Sequence, residues 1–318
     1  MTTALRGATA FAPPKGIRKV KNVTATVLVT LSFAIALVPL VWLLWTVLSK
    51  GLSSLLHAAW WTETQRGQSA STPGGGMFHA IVGTFELIAL TSIISVPIGL
   101  LVGIYLVEYG RGLFARVTSF MVDILTGIPS IVAALFIFAV FITTLGGNKS
   151  NFLAALALVI LMVPLIIRST EEMLRLVPNE LREASYALGI PKWRTIVKVV
   201  LPTAFTGLIT GVVLGIARVA GETAPLLILV GYSASMNWNP FSGFQSSLPL
   251  EIKQQFQNIL QSSGSVSYHL NAQGERVAGA AANYAPDRMW GAALTLIVIV
   301  LLLNLIARFI GRFNKLAK

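Results

Sequence analysis

The sequence predicts an all-α membrane protein, a polytopic bundle of six transmembrane helices. Of its 318 residues, 55% are hydrophobic and only 11% are charged, whereas soluble domains carry about 25% charged residues. The mean hydropathy of +0.75 fits a chain that has lipid as its solvent. A membrane helix needs about 20 apolar residues. Six runs satisfy this: roughly 23–48, 80–107, 117–143, 152–167, 204–229 and 289–310.

Lys and Arg are unevenly spread over the segments between these runs. The segments alternate along the chain between two sets: one set holds 17 Lys and Arg in total and the other holds 6. The set with 17 is expected on the cytoplasmic side of the membrane. Both termini are therefore predicted to be cytoplasmic. The 26-residue first run exceeds the apolar core of a signal peptide, so it is read as a retained helix. The richer segments are 1–22, 108–116, 168–203 and 308–318, and the poorer ones are 49–79, 144–151 and 230–288.

The composition also excludes several kinds of site. The chain has no cysteine, its three histidines lack metal-ligand spacing, and no Gly-x-x-x-x-Gly-Lys-Ser/Thr pattern for nucleotide phosphates occurs. We therefore expect no catalytic residue, metal or cofactor in this chain. The net charge of +12 flanks apolar runs instead of forming a basic face, so membrane lipid is the expected partner and nucleic acid is not.

Arg218 and Glu222 stand inside the fifth apolar run, where a charge is costly. Four residues apart on a helix, they share a face and can pair. Arg218 could bind an oxyanion through its planar fork of donors, with Glu222 keeping the empty site from trapping anions. A structural ion pair that fixes helix register is the alternative.

Arg168 and Glu171 form a second possible Arg–Glu pair, three residues apart, at the end of the fourth run. From the residues alone, Arg168 most simply extends to the lipid headgroups. Asp123, which precedes Gly127-Ile128-Pro129, either polarises a kink there or sits at the cytoplasmic interface. Glu86 lies in the second run without an evident partner.

The basic, amphipathic segment 178–202 is broken at Gly189 and Pro191 into two short helices. That shape suits a groove on a soluble partner, and a helix lying on anionic lipid is the alternative. The Glu-Ala-small, Gly, Leu-Pro spacing resembles the EAA loop of ABC-importer permeases, which docks on the ATP-hydrolysing subunit. The residues that match are Glu183, Ala184, Ser185, Gly189, Leu201 and Pro202.

Residues 154–230 closely resemble the PstA-type permease subunit of the bacterial phosphate ABC importer. The run Ala-Arg-x-x-Gly-Glu-Thr-Ala-Pro at 217–225 points to phosphate, and Gly127–Val132 and Ser247–Leu250 extend the likeness. The resemblance implies a type I importer permease fold and a substrate pathway lined by the following residues: Arg218, Glu222, Arg168, Glu171 and Thr223. Ser185 departs from the family by replacing the second Ala of the motif.

The same resemblance implies the partners of the chain. These are a PstC-type sister permease, two copies of a PstB-type ATPase that binds ATP and magnesium, and an extracytoplasmic PstS-type phosphate-binding protein. The expected organisation is a cytoplasmic tail 1–22 and one permease domain 23–318, with an ATPase-coupling loop 171–203 and a long outer loop 230–288. Three alternatives stay open: a permease for sulfate, molybdate or tungstate, an ion-coupled transporter, and a membrane sensor.

Overall fold

The computed structural model describes residues 16–262, 266–270, 276–280 and 283–316. Helices dominate this part of the chain, and π-helical turns continue three of them, at Tyr105–Tyr109, Phe138–Thr144 and Ile196–Val200. The α-helices are α1 (Ile17–Leu55), α2 (Ala58–Thr62), α3 (Phe78–Ile104), α4 (Gly112–Thr126), α5 (Ser130–Ile137), α6 (Asn151–Arg175), α7 (Asn179–Ala187), α8 (Lys192–Thr195), α9 (Leu201–Ala220), α10 (Ala224–Leu229), α11 (Leu248–Ser262) and α12 (Ala285–Leu316).

The chain divides into two compact units, residues 1–49 and 50–318. The described part of the first unit is helical and belongs to α1, which has Pro39 in its interior. The second unit contains the remaining helices and the residues that the sequence marks as candidate sites. It is the unit described below.

Five helical segments are long and apolar enough to cross a membrane. The sixth predicted run, 117–143, is a bent pair in which Gly112–Thr126 and Ser130–Thr144 meet at 104°. The break falls at Gly127 and Pro129, because proline disfavours a helical conformation at the residue before it and lacks an N–H. The predicted six spans are obtained when this pair counts as one span. The five are Ile17–Leu55, Phe78–Tyr109, Asn151–Arg175, Lys192–Ala220 and Ala285–Ile310.

Two helices extend beyond their apolar runs into the predicted coupling loop. The fourth run, 152–167, lies in a helix that continues to Arg175, and the helix that contains the fifth run begins at Lys192. That helix ends at Ala220, so Glu222 and Thr223 lie in a short break before α10. Charged residues end a hydropathic run, but they do not end a helix whose backbone hydrogen bonds continue.

The core lies where α3, α5, α6, α9 and α10 meet, around side chains such as Leu158, Met162 and Ile166. Helices α3 and α9 approach α6 through glycines. A Cβ added at Gly103 would lie 2.6 Å from Thr170 Cβ, and one at Gly211 would overlap Ser169. Gly207 faces Met173 and Gly215 faces Met162. Gly207, Gly211 and Gly215, spaced four residues apart, thus form a ridge on α9 that packs on α6 as small residues do between membrane helices.

The 230–288 loop carries its own structure. Helix α11 packs on α3 through a buried pair, in which His79 Nε2 lies 2.8 Å from Glu251 Oε1. Burial and the nearby Glu251 carboxylate raise the pKa of the Tyr232 phenol above its ordinary value. Beyond α11, strands β1 (Val266–Leu270) and β2 (Arg276–Ala280) form an antiparallel hairpin, an addition to the predicted all-α fold.

Candidate functional site

Helix α7 of the predicted coupling segment ends in a Schellman motif at Gly189. The N–H of Gly189 donates to the Tyr186 carbonyl (2.9 Å) and that of Ile190 to the Ser185 carbonyl (3.2 Å). Gly189 has φ +75°, a left-handed conformation that glycine adopts without the steric cost of a Cβ. Two short helices joined by a turn at Gly189 were predicted, and the structure has them.

A buried contact fixes these two helices to each other. Ser185 Oγ lies 2.8 Å from Thr195 Oγ1, and the two residues are 5% and 0% exposed. Ser185 therefore faces α8 instead of a partner. Its hydroxyl gives a structural reason for the departure from alanine at this position of the motif.

Two further motif residues, Glu183 and Ala184, lie on the surface of the coupling segment. Both are exposed on α7, and apolar side chains beside them are exposed as well: Leu188 is 79% and Trp193 57% exposed. Exposed apolar side chains at this position are compatible with both predicted alternatives, a groove on a soluble partner and a lipid surface.

Leu201 and Pro202 lie at the start of α9, directly after the π-helical turn Ile196–Val200. Because proline has no N–H, it interrupts the α-helical hydrogen-bond pattern at this point. The helix nevertheless continues in one direction, so α8, the π turn and α9 form one 29-residue segment from Lys192 to Ala220.

An ion pair that the sequence did not reveal anchors α7 to the end of the α3 segment. Arg182 Nη2 lies 2.9 Å from Glu108 Oε1, with both side chains largely buried. Arg182 also donates to the carbonyls of Val177 (2.6 Å) and Leu174 (2.9 Å). The guanidinium thus joins three elements. Glu108 and Arg182 are 74 residues apart, so no local spacing indicated the pair.

Arg168 is held by carboxylates. Its guanidinium bonds to Glu171 one turn away on α6 and to Asp123 on α4. It also donates to the Ser119 carbonyl (3.0 Å) and hydroxyl (3.1 Å). Arg168 therefore does not simply extend to headgroups; it bonds within a partly exposed cluster of Arg168, Glu171, Asp123 and Ser119, called the Arg168 cluster below. Asp123 belongs to this cluster, a contact that neither of the interpretations offered for it in the sequence included.

Arg218 and Glu222 come together as their spacing predicted, but loosely. Arg218 Nε lies 3.8 Å from Glu222 Oε1, with the side chains 62% and 19% exposed. Glu222 follows the end of α9, so it reaches back to the helix from the break. Thr223 adjoins it as the half-buried residue before α10. Two of the guanidinium nitrogens of Arg218 thus have capacity for a ligand.

The two arginine clusters lie at different levels of the bundle. Gly211 packs on Ser169, the neighbour of Arg168, and Arg218 lies seven residues further along α9. Seven residues of helix rise about 10 Å. Arg168 and Arg218 are therefore placed about two helical turns apart along the axis instead of sharing one site.

Glu86, for which the sequence offered no partner, accepts hydrogen bonds from two amides. Gln245 Nε2 donates to Oε2 (2.7 Å) and Asn151 Nδ2 to Oε1 (3.3 Å). These contacts join α3 to α6 and to the loop before α11. The carboxylate of Glu86 therefore has a structural role in holding this loop against α3 and α6. Because Gln245 lies 159 residues away in sequence, no local pattern indicated this contact.

Residues 95–315 match the family described as binding-protein-dependent transport system inner membrane component. Similar relatives are named phosphate transport system permease protein PstA. The protein from Mycobacterium tuberculosis (strain ATCC 25618 / H37Rv), named PstA 1, is 48% identical over 300 residues, 94% of this chain and 90% of that one. The Mycobacterium leprae protein is 50% identical over 289 residues, 91% and 88% of the two chains, and that of Yersinia pestis 43% over 211 residues, 66% and 70%.

Solved structures of importer permeases share the fold. The inward-facing MetNI methionine ABC transporter gives a TM-score of 0.52 at 22% identity, covering 75% of this chain and 97% of that one. A bacterial alginate ABC transporter in complex with its alginate-bound periplasmic protein gives 0.59 at 12% identity, with 93% and 96% covered. The type I importer permease fold expected from the sequence is thereby confirmed.

Proposed function

This chain belongs to the family of binding-protein-dependent transport system inner membrane components, and we propose that it carries inorganic phosphate across the bacterial cytoplasmic membrane in an ATP-driven importer. The observation that carries the proposal is the 48–50% identity, over more than nine-tenths of the chain, to two proteins named phosphate permeases. Phosphate is favoured over sulfate, molybdate or tungstate on this ground. The family also disfavours an ion-coupled transporter.

The exposed guanidinium of Arg218 supports an anion pathway. Arginine presents a planar, permanently charged fork that matches the oxygens of a tetrahedral anion. At 3.8 Å and 62% exposure, the contact with Glu222 leaves most of this fork available. Glu222 balances the charge of the empty site, and Arg218 provides the first strong ligand for phosphate in the bundle.

The Arg168 cluster has a different role in the proposed pathway. Its guanidinium already bonds to two carboxylates and to Ser119, so phosphate must displace acidic side chains to reach it. An anion that neutralises Arg168 would release Asp123 and loosen the link between α4 and α6. The cluster therefore acts as a gate that phosphate opens, while Arg218 acts as a ligand.

The exposed face of α7 and α8 docks on an ATPase subunit. This surface is formed by Trp193, Leu188 and the acidic Glu183. Segment 168–203, which contains it, has the excess of Lys and Arg that is typical of the cytoplasmic side. The topology follows: both termini face the cytoplasm and the 230–288 loop faces outward. In this arrangement the chain is a non-catalytic subunit, and ATP and magnesium bind to the ATPase.

A continuous helix transmits motion from the docking surface to the pathway. The 29 residues from Lys192 to Ala220 include both α8 and Arg218, and at 1.5 Å per residue they extend about 40 Å. Since Ser185 and Arg182 fix α7 to α8 and to the α3 segment, a push on the docking surface tilts the helix that carries Arg218. Closure of the ATPase pair would in this way reorient the pathway.

Transport by the reconstituted complex tests the proposal. The chain is assembled in proteoliposomes with a sister permease, the ATPase and the binding protein of a phosphate importer, and uptake of phosphate is measured with ATP inside. We expect ATP-dependent phosphate uptake that a tenfold excess of sulfate or molybdate leaves unchanged. Equal uptake of sulfate would instead assign the chain to a broader oxyanion importer.

A further inference from the structure

A cavity of about 400 Å³ opens at the end of the bundle that carries α7, beside the Arg182–Glu108 pair. It lies at the C-terminal end of the α3 segment, which spans Phe78–Tyr109. Residues of three elements meet in it: the end of the α3 segment, the end of α6, and the α7–α8 segment. The charged and hydroxyl-bearing residues of its lining are Glu108, Arg111, Arg175, Arg182, Tyr186 and Lys192.

The cavity has four cations and one acid, and that acid is already engaged. Glu108 accepts two bonds from the buried Arg182 guanidinium, at 2.9 and 3.1 Å. Arg175 has only a 3.7 Å contact with Glu171 and is 70% exposed. Lys192 donates to the Glu108 backbone carbonyl and lies 4.8 Å above the Tyr109 ring.

Within the described residues, neither Arg111 nor Lys192 forms an ion pair with an acidic side chain. After the Arg182–Glu108 pair cancels, three positive charges line one polar cavity, and among the described residues the acidic side chain that pairs with any of them is Glu171, 3.7 Å from the exposed Arg175. Cations that line the same cavity repel one another, and an anion between them lowers that repulsion.

We propose that this cavity binds a phosphate-type oxyanion, supplied either as free phosphate or as the headgroup phosphate of an anionic lipid. Arg111 and Arg175 would hold it by charge-assisted bonds, and the Tyr186 hydroxyl can donate a further one. The cavity includes none of the residues of the proposed translocation pathway. A bound anion joins the end of the α3 segment to the coupling segment, so occupancy holds the docking surface in place.

A cysteine reporter tests this, because the chain has no cysteine of its own. Asn179→Cys places one thiol at the cavity, in an importer assembled with cysteine-free partners in nanodiscs. One arm uses phosphatidylcholine nanodiscs and titrates inorganic phosphate against chloride at equal ionic strength. A second arm, free of phosphate, replaces part of the lipid with phosphatidylglycerol. The measured quantity is the labelling rate with an uncharged maleimide.

We expect labelling to slow at least threefold in one or both arms, and the arm identifies the source of the anion. The Arg111→Gln/Arg175→Gln pair should abolish this protection, while Arg194→Gln should retain it, since Arg194 lies over the Trp193 ring outside the cavity. Protection that survives the Arg111→Gln/Arg175→Gln pair, or that Arg218→Gln removes, would overturn the proposal, as would unchanged labelling in both arms.

Discussion

Ser185 Oγ and Thr195 Oγ1 lie 2.8 Å apart at the buried contact between α7 and α8. The bond connects residues on either side of the Gly189 turn, so the two helices move as one body. A serine at this position thus replaces the packing of an alanine with a directional bond. In the proposed importer, this rigidity is what allows an ATPase to push on α9 through α7.

Ser185→Ala should weaken the coupling segment by leaving the buried Thr195 hydroxyl with only a 3.5 Å contact to the Pro191 carbonyl. An unsatisfied buried polar group costs about 1–3 kcal/mol. We expect a lower melting temperature of the assembled complex and more ATP hydrolysed per phosphate transported.

The double variant Ser185→Ala/Thr195→Val removes both hydroxyls, so it should recover much of the loss. Ser49→Ala is the matched control, since that hydroxyl donates to the Thr46 carbonyl one turn earlier in its own helix. Equal melting temperatures for Ser185→Ala and the parent protein would show that the Ser185–Thr195 hydrogen bond does not stabilise the complex.

Substitutions at Gly189 separate backbone strain from bulk. The residue has φ +75°, and a Cβ there would meet nothing within 4 Å in this chain. Asn tolerates this conformation better than most residues, so Gly189→Asn should keep transport, and Gly189→Ala should cost about 1 kcal/mol of stability from strain alone. Gly189→Trp should weaken ATPase association more than Ala does, because its ring projects outward into the partner. Association of Gly189→Trp equal to that of Gly189→Ala would argue against docking at this turn.

Single cysteines test the proposed topology. Gln261→Cys is exposed on α11, and it should react with an impermeant thiol reagent in intact cells, or in spheroplasts where an outer envelope blocks access. Leu176→Cys, at a position 74% exposed between α6 and α7, should react only after permeabilisation. Ser185 would be a poor site for this test because it is buried against Thr195. The opposite labelling pattern would invert the orientation.

The sequence predicted the helical bundle and the Arg218–Glu222 pair for related reasons. Run length reports exposure to lipid, and a four-residue spacing brings two side chains together on any helix. Both signals are local. The four-residue spacing of Gly207, Gly211 and Gly215 is a third local pattern, but only the structure shows that these glycines pack on α6.

Partners that depend on how helices pack were missed. Asp123 is 45 residues from Arg168, and Glu108 is 74 from Arg182, so only the rotation and register of α4, α6 and the α3 segment bring them together. Helix ends were misplaced for another reason. Apolar runs stop at the first charges, whereas the helices continue through the interface as amphipathic segments, as at Arg175 and Lys192.

The Arg168 cluster predicts that the shape of the cation matters as well as its charge. Arg168→Lys keeps the charge but cannot bond to Glu171, Asp123 and Ser119 at once, because an ammonium lacks the planar fork. We expect phosphate uptake to fall at least tenfold in both Arg168→Lys and Arg168→Gln, measured in proteoliposomes. Arg116→Gln, an exposed change on the same α4 that carries Asp123, should transport normally. Uptake near the parental rate in Arg168→Lys would show that only the positive charge at this position is needed, and not the planar guanidinium.

Arg218 and Glu222 are expected to matter for transport more than for stability. An exposed ion pair contributes about 0–1 kcal/mol, and this one is 3.8 Å long with Arg218 62% exposed. Arg218→Gln should therefore abolish phosphate uptake while the complex assembles and melts as before, because the anion loses its ligand. Glu222→Gln should impair uptake by leaving Arg218 without a balancing charge, so that phosphate is released slowly. Arg66→Gln, an exposed arginine outside α9, is the control.

A purely structural Arg218–Glu222 pair predicts the reverse pattern: each single variant lowers the melting temperature, and exchanging the two charges restores it. Normal uptake in a stably assembled Arg218→Gln complex would remove Arg218 from the pathway.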